Sequence, residues 1–151
     1  MELTNSQEEY LKAIYVLSNN NQEIRVTDIA KKLNITKPSV NKGIKNLASI
    51  NMVNYKTYGE ITLTEEGKKE AKKILKKFDI TKLFLTEILD IDEQQAEEDA
   101  KRVKNALSEK TEEKLEKYVI KILNLDSLKC NWDMENEKCR NCLKIKNKKG
   151  E

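Results

Sequence analysis

The sequence has no histidine, only one proline and four glycines, and no long apolar run. Without histidine the commonest acid-base group is missing, and no nucleophile lies beside a recognisable base. No apolar run approaches the roughly 20 residues of a membrane-spanning helix, and the acidic Met1-Glu2 start does not resemble a signal peptide. These absences argue against an enzyme and against a membrane partner, and they predict a cytoplasmic protein.

The overall charge is only weakly basic, with a formal net charge of +3 although 36% of the residues are charged. Any interaction with nucleic acid must therefore depend on where the charges lie and not on their sum. Apolar residues make up 38% of the chain, which allows a modest core. The three cysteines lie near the C-terminus, and without an export signal they are expected to be reduced thiols or ligands.

Two helices are predicted before residue 34. Asn5 or Ser6 can cap the first helix, and Asn19 begins the turn that ends it. Thr27 is expected to cap a second, short helix. The apolar residues that recur on the inner sides of these helices are Leu11, Ile14, Tyr15, Leu17, Ile29, Ala30 and Leu33.

A third helix follows a tight turn at residues 34–36. Pro38 is tolerated because first-turn amides have no partner within the helix. Val40, Ile44 and Leu47 form one buried stripe, which leaves the opposite, basic face free. Two short helices joined in this way, the second polar on its outer face, form a helix-turn-helix arrangement.

A short hairpin is predicted after the third helix. Val53 and Tyr55 alternate on one strand, Ile61 and Leu63 alternate on the other, and Gly59 is expected to adopt the positive φ of a tight turn. Such a hairpin is a wing. The fold class is therefore mainly α, with a winged helix-turn-helix DNA-binding domain over residues 1–72. Thr64 is expected to cap the helix that follows.

The outward side chains of the third helix would enter the major groove of double-stranded DNA. Asn41 can pair with adenine and Lys42 with guanine, whereas Lys37, Lys45, Lys56 and Tyr58 are better placed for phosphates. The complete set of DNA-binding candidates is Lys37, Pro38, Ser39, Asn41, Lys42, Lys45, Lys56 and Tyr58. Two alternatives remain open: a winged module that binds protein, and lysines that are simply solvated.

Residues 73–124 have a helical pattern and are expected to form a dimerisation domain. Asp92 can cap one helix, and Ser108 or Thr111 can begin the last one. Helices in this position most often form a homodimer, because a two-fold partner matches a palindromic operator. The alternative is a helical cap that packs within one chain.

A known family shares this order of motifs. The residues that carry the likeness are "EEYLKAIYVL", "VTDIAKKLNITKPSVNKGIKNL", "MVNYKTYGEITLTEEGKK" and "FLTEILDIDEQQAEEDAKRVKNALS". Over residues 5–123 the chain resembles the DtxR/MntR family of metal-dependent transcriptional repressors, in the short form without an SH3-like domain. The resemblance implies a winged-helix homodimer that binds an operator and controls genes of metal-ion homeostasis.

The resemblance also implies a regulatory Mn(II) or Fe(II) site between the first helix and the dimerisation helices. The positions of its carboxylates and histidines fall here on Glu9, Lys12, Asp79, Lys101, Lys104 and Asn105. A protonated lysine has no lone pair to give a metal, so the sequence predicts that this site is degenerate. Either the lysines replace the cation by direct ion pairs with the acids, or they point to solvent.

A second metal site is predicted in the basic tail of residues 125–151. Cys139 and Cys142 form a C-x-x-C pair, and Cys130 precedes them. With a fourth ligand from elsewhere, these thiolates suit zinc or an iron-sulfur cluster. A thiol redox switch, a redox carrier and a tail with free thiols are the alternatives.

Overall fold

The computed structural model describes residues 2–19, 23–56 and 59–124 and two short strands beyond them. It divides into two units, Met1–Ile74 and Leu75–Glu151. In chain order the elements are α1 (Asn5–Ser18), α2 (Val26–Leu33), α3 (Lys37–Ser49), β1 (Val53–Tyr55), β2 (Ile61–Leu63), α4 (Glu65–Leu83), a π-helical turn (Phe84–Ile88), α5 (Glu93–Val103), α6 (Glu109–Leu123), β3 (Trp132–Asp133) and β4 (Lys138–Cys139). The predicted, mainly helical fold class is confirmed.

The first unit packs its three short helices and the wing around one apolar core. Val40, Ile44 and Leu47 of α3 are completely buried, which confirms the predicted stripe. The strands β1 and β2 pair antiparallel, with Val53 opposite Leu63. Because both of these residues are buried, the wing is anchored to the core at its base.

The N-terminal caps of α1 and α2 differ from the predicted ones, whereas α1 ends at Asn19 as predicted. Thr4, not Asn5 or Ser6, caps α1, because its hydroxyl accepts from Gln7 N–H while the Gln7 side chain accepts from Thr4 N–H. Helix α2 begins one residue before Thr27, which is therefore not its cap.

The start of α4 agrees with its prediction. Gly67 N–H donates to Thr64 Oγ1 at 2.9 Å, as expected of a cap. In the same turn, a hydrogen bond from Lys68 lowers the pKa of the exposed Glu65 carboxyl below its ordinary value.

The left-handed positions are occupied by asparagine and aspartate. No glycine in the described part of the chain has a positive φ, so the expectation for Gly59 was wrong. Gly59 instead ends a turn that its N–H closes on Lys56 O at 2.7 Å, a position that needs no positive φ. The described residues with left-handed backbone are Asn34, Asn51, Asp90 and Asn124.

The second unit has its own smaller core. Ile80, Leu83 and Val119 are buried together, with partly buried side chains of the π-helical turn and α6 around them. Ion pairs join α4 to α6, at 3.1 Å between Lys77 Nζ and Glu112 Oε2. The predicted caps of α5 and α6 are confirmed: Asp92 accepts from Gln95 N–H and Ser108 accepts from Thr111 N–H.

Within the residues that the structure describes, no helix is both long enough and apolar enough to span a membrane.

Candidate nucleic-acid interface

Helix α3 is buried on one side and basic on the other. Lys37, Lys42 and Lys45 are exposed, whereas the apolar stripe of the same helix is completely buried. Pro38 lies in the first turn, as predicted, and both Pro38 and Ser39 are exposed. Such a helix is fixed to its domain and offers cations to a groove or to a phosphate backbone.

Asn41 is less free than the sequence suggested. Its side chain is half-buried, and Tyr55 Oη donates a hydrogen bond to its Oδ1 at 2.9 Å. Tyr55 belongs to β1, so the wing holds the one amide among the predicted DNA-binding side chains. Sequence reasoning identified both residues but not their contact, since they lie in different elements.

Helix α1 packs closely against α3. A Cβ atom at Gly43 would overlap the ring of Tyr10, so only glycine allows this close approach. The Tyr10 hydroxyl donates to Ser39 O at 3.3 Å. The position of the recognition helix therefore depends on a tyrosine in α1 and on the absence of a side chain at residue 43.

A cleft of about 240 Å³ opens between the start of α2, the start of α3 and the wing. Its lining includes Arg25, Thr27, Lys37, Asn41 and Tyr55. Sequence reasoning missed Arg25, whose side chain is 62% exposed and whose guanidinium lies 3.2 Å from Glu23 Oε2. The sequence signal for Arg25 was its position directly before α2, the first helix of the helix-turn-helix motif. Two cations and two hydroxyls at one edge of α3 suit a phosphate group.

The remaining wing candidates are only partly described. Lys56 is exposed next to β1. Tyr58 lies outside the described residues.

The residues that the resemblance placed at a metal site engage in other interactions. Lys12 Nζ lies 2.9 Å from Glu9 Oε1 within α1, and Lys101 Nζ lies 3.3 Å from Glu97 Oε1 within α5. In the second unit Asp79 and Lys104 are buried, with exposed fractions of 1% and 4%. Asn105 is exposed. Lys12 is thus paired with one of the two predicted acids, Lys101 is on the surface and Lys104 is buried. The choice between ion pairs and solvated lysines stays a prediction.

Two family models match the chain in succession. The model described as "Iron dependent repressor, N-terminal DNA binding domain" matches residues 2–61, and the model described as "Iron dependent repressor, metal binding and dimerisation domain" matches residues 64–122. The chain belongs to the DtxR/MntR family. It is therefore a transcriptional regulator with a winged DNA-binding domain, in a family of regulators and not of enzymes.

Relatives of this DtxR/MntR protein support the assignment. It is 42% identical over 120 residues to an uncharacterized HTH-type transcriptional regulator of Methanocaldococcus jannaschii, covering 79% of this chain and 96% of the relative. It is 31% identical over 105 residues to the HTH-type transcriptional regulator MntR of Bacillus subtilis, covering 70% and 73% of the two chains.

Among solved structures, the manganese regulator SloR matches with a TM-score of 0.68 and 26% identity, over 85% of this chain and 58% of that one. The IdeR of T. acidophilum matches with a TM-score of 0.66 and 25% identity, over 87% and 58%. This family member therefore spans a little over half the length of those two chains.

The metal that the family description implies does not fit the residues present. Three of the six expected ligand positions of this DtxR/MntR protein carry ammonium groups, which repel a divalent cation and give it no lone pair. Glu9 already accepts from Lys12. Within the described ranges, no group of three or more histidine, cysteine or carboxylate side chains could hold a metal ion.

The predicted cysteine site lies almost entirely beyond the described residues. Cys130 and Cys142 fall outside them, and only the backbone of Cys139 is described, in β4 opposite Trp132. The cysteine site stays a prediction from the sequence.

Proposed function

We propose that this protein is a repressor that binds a palindromic operator as a homodimer, with α3 in the major groove. The observation that carries the proposal is the two-sided character of α3, buried by one stripe and basic on the other face. The adjoining cleft adds Arg25 to the same surface. A protein-binding winged module would not need cations gathered around the start of the recognition helix.

The second copy is proposed to dock on the second unit. The exposed large apolar side chains described there include Tyr118 and Ile122 of α6, with exposed fractions of 47% and 51%. They are four residues apart and so lie on one face of the helix. The matched family model describes this part of the chain as a dimerisation domain, which favours another copy of the chain as the occupant.

Operator binding is proposed to be independent of Mn(II) and Fe(II) at the family's usual position. The argument rests on the donor set, where Lys12, Lys101 and Lys104 stand in place of ligands. One structurally similar protein, SloR, is named as a manganese regulator, so the target genes are proposed to serve metal-ion homeostasis. A lysine that is held by a carboxylate places a positive charge at the expected metal position without a metal ion.

The effector, if metallic, is proposed to bind the tail cysteines as zinc or an iron-sulfur cluster. Protein purified without oxygen should contain zinc, or iron with sulfide and a broad visible absorption band. Elemental analysis should show that Cys139→Ser loses it. A metal-free wild type that still binds DNA would reject the cysteine site and leave the metal-independent regulator.

The proposed function is tested by selecting bound duplexes from a randomised DNA pool with the purified chain. We expect enrichment of an inverted repeat whose half-sites lie about one helical turn apart, roughly 34–36 Å. Repression is then read from a reporter that carries the selected site. A protein that retains no duplex at low salt is not a DNA-binding regulator, and the protein-binding alternative would replace the proposal.

A further inference from the structure

A tyrosine hydroxyl of the wing contacts the predicted base-reading surface. Tyr55 Oη donates to Asn41 Oδ1 at 2.9 Å, and both side chains are half-buried. The Tyr55 ring packs against the apolar core of the first unit. Opposite it across the sheet lies Ile61, which is completely buried. The hydroxyl is therefore held in place by a packed ring at the end of β1.

This contact determines the orientation of the Asn41 amide. A free asparagine can turn its carbonyl oxygen and its NH₂ group in either direction, because the two ends differ little in shape. Because a phenol is a better hydrogen-bond donor than acceptor, the Tyr55 hydroxyl favours the orientation in which it donates to Oδ1. The amide then retains one lone pair on Oδ1 and two N–H donors on Nδ2 for other partners.

The remaining groups match one base in particular. In the major groove adenine offers the N6 amino donor beside the N7 acceptor, whereas guanine offers two acceptors, O6 and N7. An amide with a fixed orientation can accept from N6 and donate to N7 of adenine. Its Oδ1 would face O6 of guanine, and two acceptors repel each other. A fixed amide therefore discriminates between the purines better than a free one.

We propose that Tyr55 is a positioning residue that sets the base preference of Asn41 for adenine over guanine. The inference rests on the proposed operator binding through α3. It assigns strand β1 of the wing a part in sequence specificity, through a hydrogen bond and without contact between Tyr55 and a base. Arg25 and Lys37 line the same cleft and would hold the backbone at that position.

The test compares wild type with Tyr55→Phe on the selected operator and on its single-base variants. The phenylalanine ring keeps the packing and removes only the hydroxyl. We expect the adenine-over-guanine preference at one position of each half-site to fall by at least about fivefold, the lower end for a bidentate pair. Affinity for unrelated duplex should change less than twofold, as should preferences at the other positions.

Tyr15→Phe is the matched control. Its ring also packs against the apolar core of the first unit, but it belongs to α1 and is not among the predicted DNA-binding residues. We expect this variant to retain the wild-type base preference at every position. Asn41→Ala should lose the same preference as Tyr55→Phe, and the double variant should lose little more than either single variant.

The outcomes separate the inference from the proposed function. If wild type selects no operator, the proposed function fails before Tyr55 is tested. If Tyr55→Phe binds more weakly on every duplex by the same factor, Tyr55 has only a structural role and the inference is wrong. Additive losses in the double variant would also overturn it, because independent residues give additive effects.

Discussion

The ammonium group of Lys12 lies 2.9 Å from Glu9 Oε1, one turn earlier on α1. The lysine side chain is 21% exposed and the glutamate side chain 44%, so the pair is partly buried. Both positions correspond to expected metal ligands of the family. A carboxylate that is neutralised by a lysine of its own helix attracts a divalent cation less strongly than a free carboxylate does.

Added Mn(II) is expected to leave operator binding unchanged. Because ammonium groups occupy three of the expected ligand positions, Mn(II) supplies nothing on which α3 depends. Fluorescence anisotropy with a labelled operator should give the same Kd, within twofold, before and after addition of Mn(II). A tenfold gain in affinity on adding Mn(II) would show that a functional metal site exists.

Lys45→Ala is expected to weaken binding on all duplexes alike. An exposed lysine that neutralises one phosphate releases about one counterion, so its loss should reduce the slope of log Kd against log salt by roughly 1. The slope is measured by titrations between low and moderate salt. Lys72→Ala removes an exposed lysine of α4 instead, and an equal effect of that variant would mean that the change reflects net charge alone.

Gly43→Ala is expected to destabilise the first unit. The added Cβ would overlap the Tyr10 ring, and overpacking costs roughly 1–3 kcal/mol. This cost exceeds the gain of about 1 kcal/mol in helix propensity. Urea unfolding should show the loss, whereas Asn46→Ala, at an exposed position of the same helix, should be neutral or stabilising. A stabilised Gly43→Ala would mean that Tyr10 moves aside freely.

Asp79 and Lys104 are expected to compensate each other's charge. They are the buried charged side chains among the described residues of the second unit, and buried charges need an opposite charge. Removing one alone, as Asp79→Asn or Lys104→Met, should cost about 3–5 kcal/mol of unfolding free energy. The double variant, measured by urea unfolding, should cost at least about 1 kcal/mol less than the sum. Strict additivity would assign each charge a different partner.

Ile122→Glu is expected to weaken the dimer. A carboxylate on an apolar face that packs against its own copy must lose water without a partner. Sedimentation velocity should show a shift toward monomer at micromolar concentration, and operator affinity should fall with it. Lys117→Glu changes charge at an exposed position on another side of α6 and should remain dimeric. A dimeric Ile122→Glu would place the interface elsewhere.

Much of the fold was predictable because its signals are local. The stripe of Val40, Ile44 and Leu47 and the caps at Asp92 and Ser108 each depend on residues a few positions apart. The cap of α1 was misplaced because three neighbouring polar residues, Thr4 to Ser6, all suit that role. Only the reciprocal bond with Gln7 distinguishes Thr4.

The site was predictable in residue type but not in contacts. The basic residues of α3 could be read from their spacing, since exposure on a helix follows its period. The bond between Tyr55 and Asn41 joins different elements, and no local rule predicts it. The same is true of Tyr10 against Gly43, which depends on how closely α1 approaches α3.

The left-handed asparagines at the ends of α2 and α6 bear on how this chain can be engineered. Asn34 and Asn124 have φ values of 53° and 51°, a conformation that glycine adopts without steric cost. Both are exposed and neither is among the predicted base readers. Substitution by glycine would relieve local strain, while a more flexible unfolded chain offsets part of the gain. At these two helix ends, substitution by glycine can therefore raise the free energy of unfolding without altering the DNA sequence preference of the protein.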